Sequence, residues 1–198
     1  MEIKEWMARC PSVEAARPGR CPCCGAASRP EGAALALHGH GLRERQVRGP
    51  GGPGKPPEEQ TVLLRRYLCR QCGAVIVVGP LGLLPGWIYS GPAIAWALWL
   101  FGVAKHSAAK VRSQVSPWAQ VGATAAAGWT TLRRWARAVR ARRLFPPVRP
   151  CPAEWSPRQV AARAATTAAA LALPSDRELP QGHQAWNGAL NLGRAIAM

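Results

Sequence analysis

The sequence predicts an α+β fold, with short antiparallel strands in its N-terminal part and an all-α region after them. Three observations carry that expectation. Two Cys-x-x-Cys-Gly turns, CPCCG at 21–25 and CRQCG at 69–73, flank a pair of strand-like segments joined through a Gly/Pro-rich stretch, GPGGPGKPP at 49–57. A β-branched run, AVIVV at 74–78, follows the second turn directly. From Ser90 onward the texture turns helical, with apolar residues recurring at three- and four-residue spacing.

Residues 1–20 mix charges throughout and lack the apolar stretch of a secretory signal, so they read as a flexible leader. Residues 38–47 read as an outgoing strand, 49–57 as an exposed, disordered tip, 61–68 as the return and 74–78 as a third strand. Together 21–79 form one small unit. Gly91-Pro92 opens a helix that runs through Trp96, Trp99 and Leu100, with Pro in its first turn. Residues 105–115 are a second helix, Ser116-Pro117-Trp118 interrupts it, and 124–143 are a third. These helices make 90–145 a helix-turn-helix-like region, with a turn longer than the standard three or four residues. Pro146, Pro147 and Pro150 stop the chain. Ser156 then caps a further helix with Pro157 at its first position, Ala-rich to Leu173, and 183–198 add a short terminal helix. Residues 151–198 are a C-terminal helical segment that finishes the core or meets a partner protein such as a transposase.

The paired Cys-x-x-Cys turns carry the sharpest chemistry. Tetrahedral zinc needs four converging soft donors, and each turn supplies two from one tight loop. Cys21, Cys24, Cys69 and Cys72 are the expected ligands, and 21–79 reads as a zinc ribbon. A Gly follows the second Cys of each pair, where such a turn needs a positive φ. Four thiolates leave no open position, so the metal is structural and not catalytic. A redox Cys-x-x-Cys opens a helix, and neither pair does. Cys23 is a competitor for the role of Cys24. Cys10 and Cys151 each precede a Pro and read as free thiols, and His38 and His40 as surface or phosphate-contacting groups. Seven cysteines with four in such pairs favour reduced thiols in the cytoplasm over a disulfide framework.

Charge points to the partner. The 198 residues carry 26 Lys plus Arg against 10 Asp plus Glu, a formal +16. No acid lies between Glu59 and Glu154, while thirteen basic residues fall in that interval. A polyanion such as DNA is the expected partner. In 128–143 (GWTTLRRWARAVRARR), Trp129, Leu132, Trp135, Ala136 and Val139 share one helical arc, and Arg133, Arg134, Arg137 and Arg140 the neighbouring one. Thr130 or Thr131 is a candidate cap. No acid intersperses with these arginines, so intrahelical ion pairs do not account for them, and they read as DNA contacts. Arg43, Arg45, Arg65 and Arg66 on the hairpin read as supporting phosphate contacts. The nine tryptophans read mainly as core.

The order of these features resembles the zinc-ribbon plus helix-turn-helix proteins of bacterial insertion elements, a transposase-associated group that includes domains of unknown function. The matching segments are CPCCG, HGHGLRERQVR, RRYLCRQCG and GWTTLRRWARAV, spanning roughly residues 21–139. The resemblance implies DNA binding linked to mobile elements or transcriptional regulation. It does not transfer catalysis, because those enzymes use carboxylate metal sites. Here Asp176 is the single Asp, and Glu154 and Glu178 are the only acids near it. The expectation is a non-enzyme. Its rivals are a degenerate or partial transposase subunit, an RNA-binding ribbon, and a membrane-associated ribbon anchored by 74–104, which holds 31 uncharged residues. Gly79-Pro80, Gly82, Pro85-Gly86 and Gly91-Pro92 break that stretch and argue against a span.

Overall fold

The computed structural model describes residues 1–119 and 129–194. Its fold is α+β: among the described residues, a three-stranded antiparallel sheet with β2 at its centre, and six α-helices. Strands β1 (Leu37–Pro50) and β2 (Pro57–Cys69) form a long hairpin paired from Leu37↔Cys69 out to Pro50↔Pro57, so the loop at its tip is confined to 51–56. An extra residue in β1 between Gly39 and Leu42 bulges the ladder. β3 (Val75–Val78) adds to β2 only over 65–68.

The leader departs from expectation. Instead of a loose tail it forms α1 (Ile3–Arg9) and packs on the hairpin. Leu63 lies beyond the last β2–β3 pair, and the buried Trp6 indole donates to its carbonyl at 2.7 Å. Tyr67, fully buried, donates its hydroxyl to the Val13 carbonyl at 2.7 Å, and the Arg17 guanidinium bonds the Leu37 carbonyl. Side chains from the leader therefore satisfy hairpin carbonyls, and hairpin side chains satisfy leader carbonyls.

Beyond β3 a loop leads to α2 (Gly91–Gly102), where the Ser90 hydroxyl accepts from the Ala93 amide at 3.2 Å and caps the helix. α3 (Ala108–Val115) is capped by Ser107 in the same way. α4 spans Thr130–Arg140, α5 Pro157–Ala170 and α6 Gln181–Arg194. Ser156 and Gln159 form a full capping box at the start of α5, with Pro157 in the first turn. On α4 the threonines do not cap: Trp129 occupies that position without a side-chain bond.

Helix α2 explains the uncharged stretch 74–104. The hairpin, α3, α4, α5 and α6 all contact it, and Ala93, Ile94, Ala95, Ala97 and Leu98 are each 0% exposed. A helix that is apolar on every side is here the centre of a protein core. Among the described residues no helix is long and apolar enough to cross a membrane, and the helical part of 74–104 is enclosed by its neighbours.

The Ala-rich α5 packs between α2 and α6, with Ala161, Ala164, Ala165 and Ala168 fully buried. Residues 151–198 thus supply core through α5 and α6. Small residues let these helices approach closely. A Cβ on Gly188 of α6 would stand 1.8 Å from the Ala168 carbonyl oxygen, which is backbone and cannot step aside. Gly188→Ala is expected to destabilise the protein by about 3 kcal/mol, read as a lowered urea midpoint. An unchanged midpoint would mean the two helices are not this close.

The expected helix-turn-helix pair is not formed as a packed unit. α3 packs mainly on α2 and the hairpin, whereas α4 packs on α5 and α2. The apolar stripe of α4 is buried as expected, with Leu132, Trp135, Ala136, Ala138 and Val139 covered where the helix packs on α5 and α2. Part of the expected third helix, 124–128, and the latter part of the turn before it lie outside the described residues.

Candidate metal centre and basic face

The two Cys-x-x-Cys-Gly turns share the same backbone hydrogen bonds. In the first, the Gly25 amide donates to the Cys21 carbonyl at 2.9 Å and the Cys21 amide donates to the Ala26 carbonyl at 2.8 Å. In the second, Gly73 donates to Cys69 and Cys69 to Ala74, both at 2.9 Å. Gly25 and Gly73 have φ of 74° and 72°, the left-handed turn in which a side chain is strained. Ser28 N to Gly19 O, Ala36 N to Ser28 O and Arg70 N to Ala36 O, at 2.8–2.9 Å, tie the first turn through the start of β1 to the second.

This wiring brings four sulfurs together from two places 44 residues apart along the chain. Cys21 Sγ lies 3.8 Å from Cys72 Sγ, and Cys24 Sγ lies 3.7 Å from Cys69 Sγ. All four fall within 4.8 Å of one another. A tetrahedron with bonds of about 2.3 Å has edges of about 3.8 Å, so the set fits a metal ion. Disulfides need about 2.05 Å, and none is formed. Cys21 and Cys69 are 2% and 0% exposed and face the small core of Leu37, Tyr67 and Ile76, while Cys24 and Cys72 form the outer edge.

The electrostatics also suit a cation. Backbone amides of Cys24 and Cys23 aimed at Cys21 hold its thiol down at about 6 against the cost of burial. At Cys72 the Ala74 amide likewise favours the thiolate, but desolvation and the three neighbouring sulfurs outweigh it and push the group up to about 12. Cys24 is raised as well: the Ala26 amide lowers it, and desolvation with the Cys21 and Cys69 sulfurs overrides that. Crowded thiolates repel one another, and a divalent cation at their centre reverses the balance. Because ligand thiols must lose protons to bind, metal affinity is expected to fall as pH falls.

Cys23 is exposed and stands outside the group, so Cys24 is the fourth member. His38 and His40 are exposed and also stand outside it, His38 Nε2 meeting the Leu35 carbonyl at 2.7 Å.

The basic residues divide into two kinds. Arg133, Arg134 and Arg137 on α4 are exposed, and Arg142, Arg143 and Arg149 continue the exposed basic surface beyond the helix. The local signal for Arg142 and Arg143 was the arginine run itself; Arg149 lies beyond it, after Pro146 and Pro147. Arg140 is exposed but donates to the Trp155 carbonyl, which makes it partly a tie between α4 and the segment before α5.

On the hairpin, two of the expected phosphate contacts are structural. Arg45 turns inward and donates to the Leu84 and Trp87 carbonyls at 2.5 and 2.6 Å, pinning the loop between β3 and α2. Burial, with the nearby charge of Arg43, pulls its pKa below the usual guanidinium value. Arg65 Nε donates to the Pro11 carbonyl at 2.8 Å and holds the leader. Arg43 is exposed and Arg66 half-buried, and among the described residues no such bond occupies either. Arg45→Ala is expected to cost about 2 kcal/mol, since it leaves two carbonyls without their charged donor. The thermal midpoint should fall while the affinity of the folded protein for nucleic acid stays within about twofold; a selective loss of binding would return Arg45 to the interface. No protein-family model, curated protein or solved structure matches this chain.

Proposed function

We propose that this chain is a non-catalytic, zinc-ribbon DNA-binding protein of a reducing compartment, the cytoplasm. The observation that carries the reading is the convergence of the Cys21, Cys24, Cys69 and Cys72 sulfurs at tetrahedral spacing. Four sulfur donors select zinc among the abundant divalent ions. With no site left for water or substrate, the ion serves to fold the hairpin. The hairpin between the turns has its own core with Trp6, but at its cysteine end only Tyr67, Leu37 and Ile76 pack, too few to hold the two turns together without metal.

The case for DNA rests on the outer face of α4. A helix anchored by Leu132, Trp135 and Val139 presents Arg133, Arg134 and Arg137 to solvent, in a stretch from 60 to 153 that holds no acid. Guanidinium groups suit phosphate and guanine edges. The resemblance to insertion-element proteins is the ground for linking this binding to a mobile element or to transcriptional regulation. A role as a partial transposase subunit would need carboxylates from a second chain, because among the described residues the cysteines are the only metal-competent group.

The test is duplex DNA binding by the zinc-loaded protein at two salt concentrations. Three arginine–phosphate contacts predict that affinity falls roughly fortyfold between 50 and 200 mM salt. Absence of binding at the lower salt would remove the DNA reading and leave the metal centre untouched.

A further inference from the structure

Of the nine tryptophans, eight pack into or against an apolar core; Trp118 does not. Its side chain is 55% exposed, the most of any large apolar residue among those described. A single exposed apolar side chain is ordinary on a protein surface; what sets this one apart is what surrounds it. The Trp118 amide donates to the Ser116 hydroxyl at 3.3 Å, and that hydroxyl accepts from Tyr89 at 3.1 Å. Tyr89 in turn packs edge-on against Trp129 and Trp135, with centroids at 5.9 and 5.2 Å, at the start of α4. The Arg48 guanidinium sits 5.6 Å from the Trp118 ring centre and is itself paired with Glu59. The Trp118 backbone is thus linked through Ser116 and Tyr89 to the start of the helix that carries Arg133 and Arg134, while its indole, touched by Arg48, stays open to solvent.

From this we infer that Trp118 is a stacking platform for an unpaired nucleobase, and that the partner of the α4 face includes single-stranded DNA. The inference rests on the nucleic-acid reading above and adds the state of the strand. Bases inside a duplex stack on each other and offer no face to an indole, whereas an unpaired strand offers one at every step. Phosphates of the same strand then lie along the arginines of α4. Stacking is tolerant of base identity, so the platform selects single-strandedness and not sequence.

The experiment compares the zinc-loaded wild type with Trp118→Ala and Trp118→Phe. Each binds labelled oligothymidylate, an abasic strand of equal length and a blunt duplex, followed by fluorescence anisotropy at one salt concentration. Trp118→Ala is expected to lose about tenfold in affinity for oligothymidylate, and Trp118→Phe to stay within about threefold of wild type. Abasic strand and duplex should be unaffected by either change. Equal affinity of Trp118→Ala and wild type for oligothymidylate overturns the inference. So does a parallel loss on all three ligands, which marks an electrostatic or folding effect. Failure of the wild type to bind any of them overturns the DNA reading itself, a distinguishable outcome.

Discussion

Treatment of the zinc-loaded protein with a strong chelator is expected to unfasten the cysteine end of the β1–β2–β3 sheet. The far end of the hairpin, packed on Trp6 with Val47, Val62 and Leu64, and the helices should keep most of their structure. The asymmetry follows from where the apolar contacts lie. The helical region has its own core of Ile94, Leu98, Leu132, Val160 and many others, whereas the ribbon end rests on Leu37, Tyr67 and Ile76 around the two buried cysteines. Structural zinc contributes on the order of 10 kcal/mol to modules of this kind, more than a handful of buried side chains supplies. Amide hydrogen exchange should show the loss at residues 65–69 and 75–78, next to the cysteines, with 62–64 retained by the Trp6 core, and restoring zinc should reverse it. Cys69→Ser should reproduce the chelated state, because Cys69 is 0% exposed and a hydroxyl there is a poor zinc ligand. Cys23→Ser should change nothing, since that thiol is exposed and outside the cluster.

The second large effect concerns α4. Replacing Arg133, Arg134 and Arg137 together with Ala is expected to weaken duplex binding roughly a thousandfold at 50 mM salt, and to reduce the slope of log affinity against log salt by about 3. The side chains are exposed and their loss leaves the buried stripe of α4 intact, so the melting temperature should hold. Arg140→Ala is a different case. Its bond to the Trp155 carbonyl predicts a stability cost alongside any binding loss. Unaltered salt dependence in the triple variant would show that the polyanion contacts another surface.

Legibility in the sequence followed the range of the interaction. Features set within a few residues were readable: the Ser156–Pro157 start of α5, the left-handed Gly25 and Gly73, and three strands whose cores sit where alternation and β-branching put them. The cysteine set was readable although its halves are distant, because each half is a local turn with one purpose. What sequence could not show was which partner a side chain would meet. Arg45 and Arg65 look like any surface arginine until a loop carbonyl from 84 or 11 arrives beside them. Trp6 in a charged leader gives no sign of the strand edge it covers. The amphipathic stripe of α4 states that a helix will be covered and not by which one; here the cover is mainly α5, which follows it in the chain. The uncharged run at 74–104 has the composition of a membrane segment but folds as β3, a loop and the core helix α2, a distinction made only by the five elements packed around that helix.

The central claim is one metal ion held by four sulfurs. X-ray absorption at the zinc edge, on protein carrying its native metal, measures this directly. The account predicts one zinc per chain and a single shell of four sulfur scatterers at about 2.3 Å. A folded protein without stoichiometric metal, or a shell containing nitrogen or oxygen in place of sulfur, would contradict it.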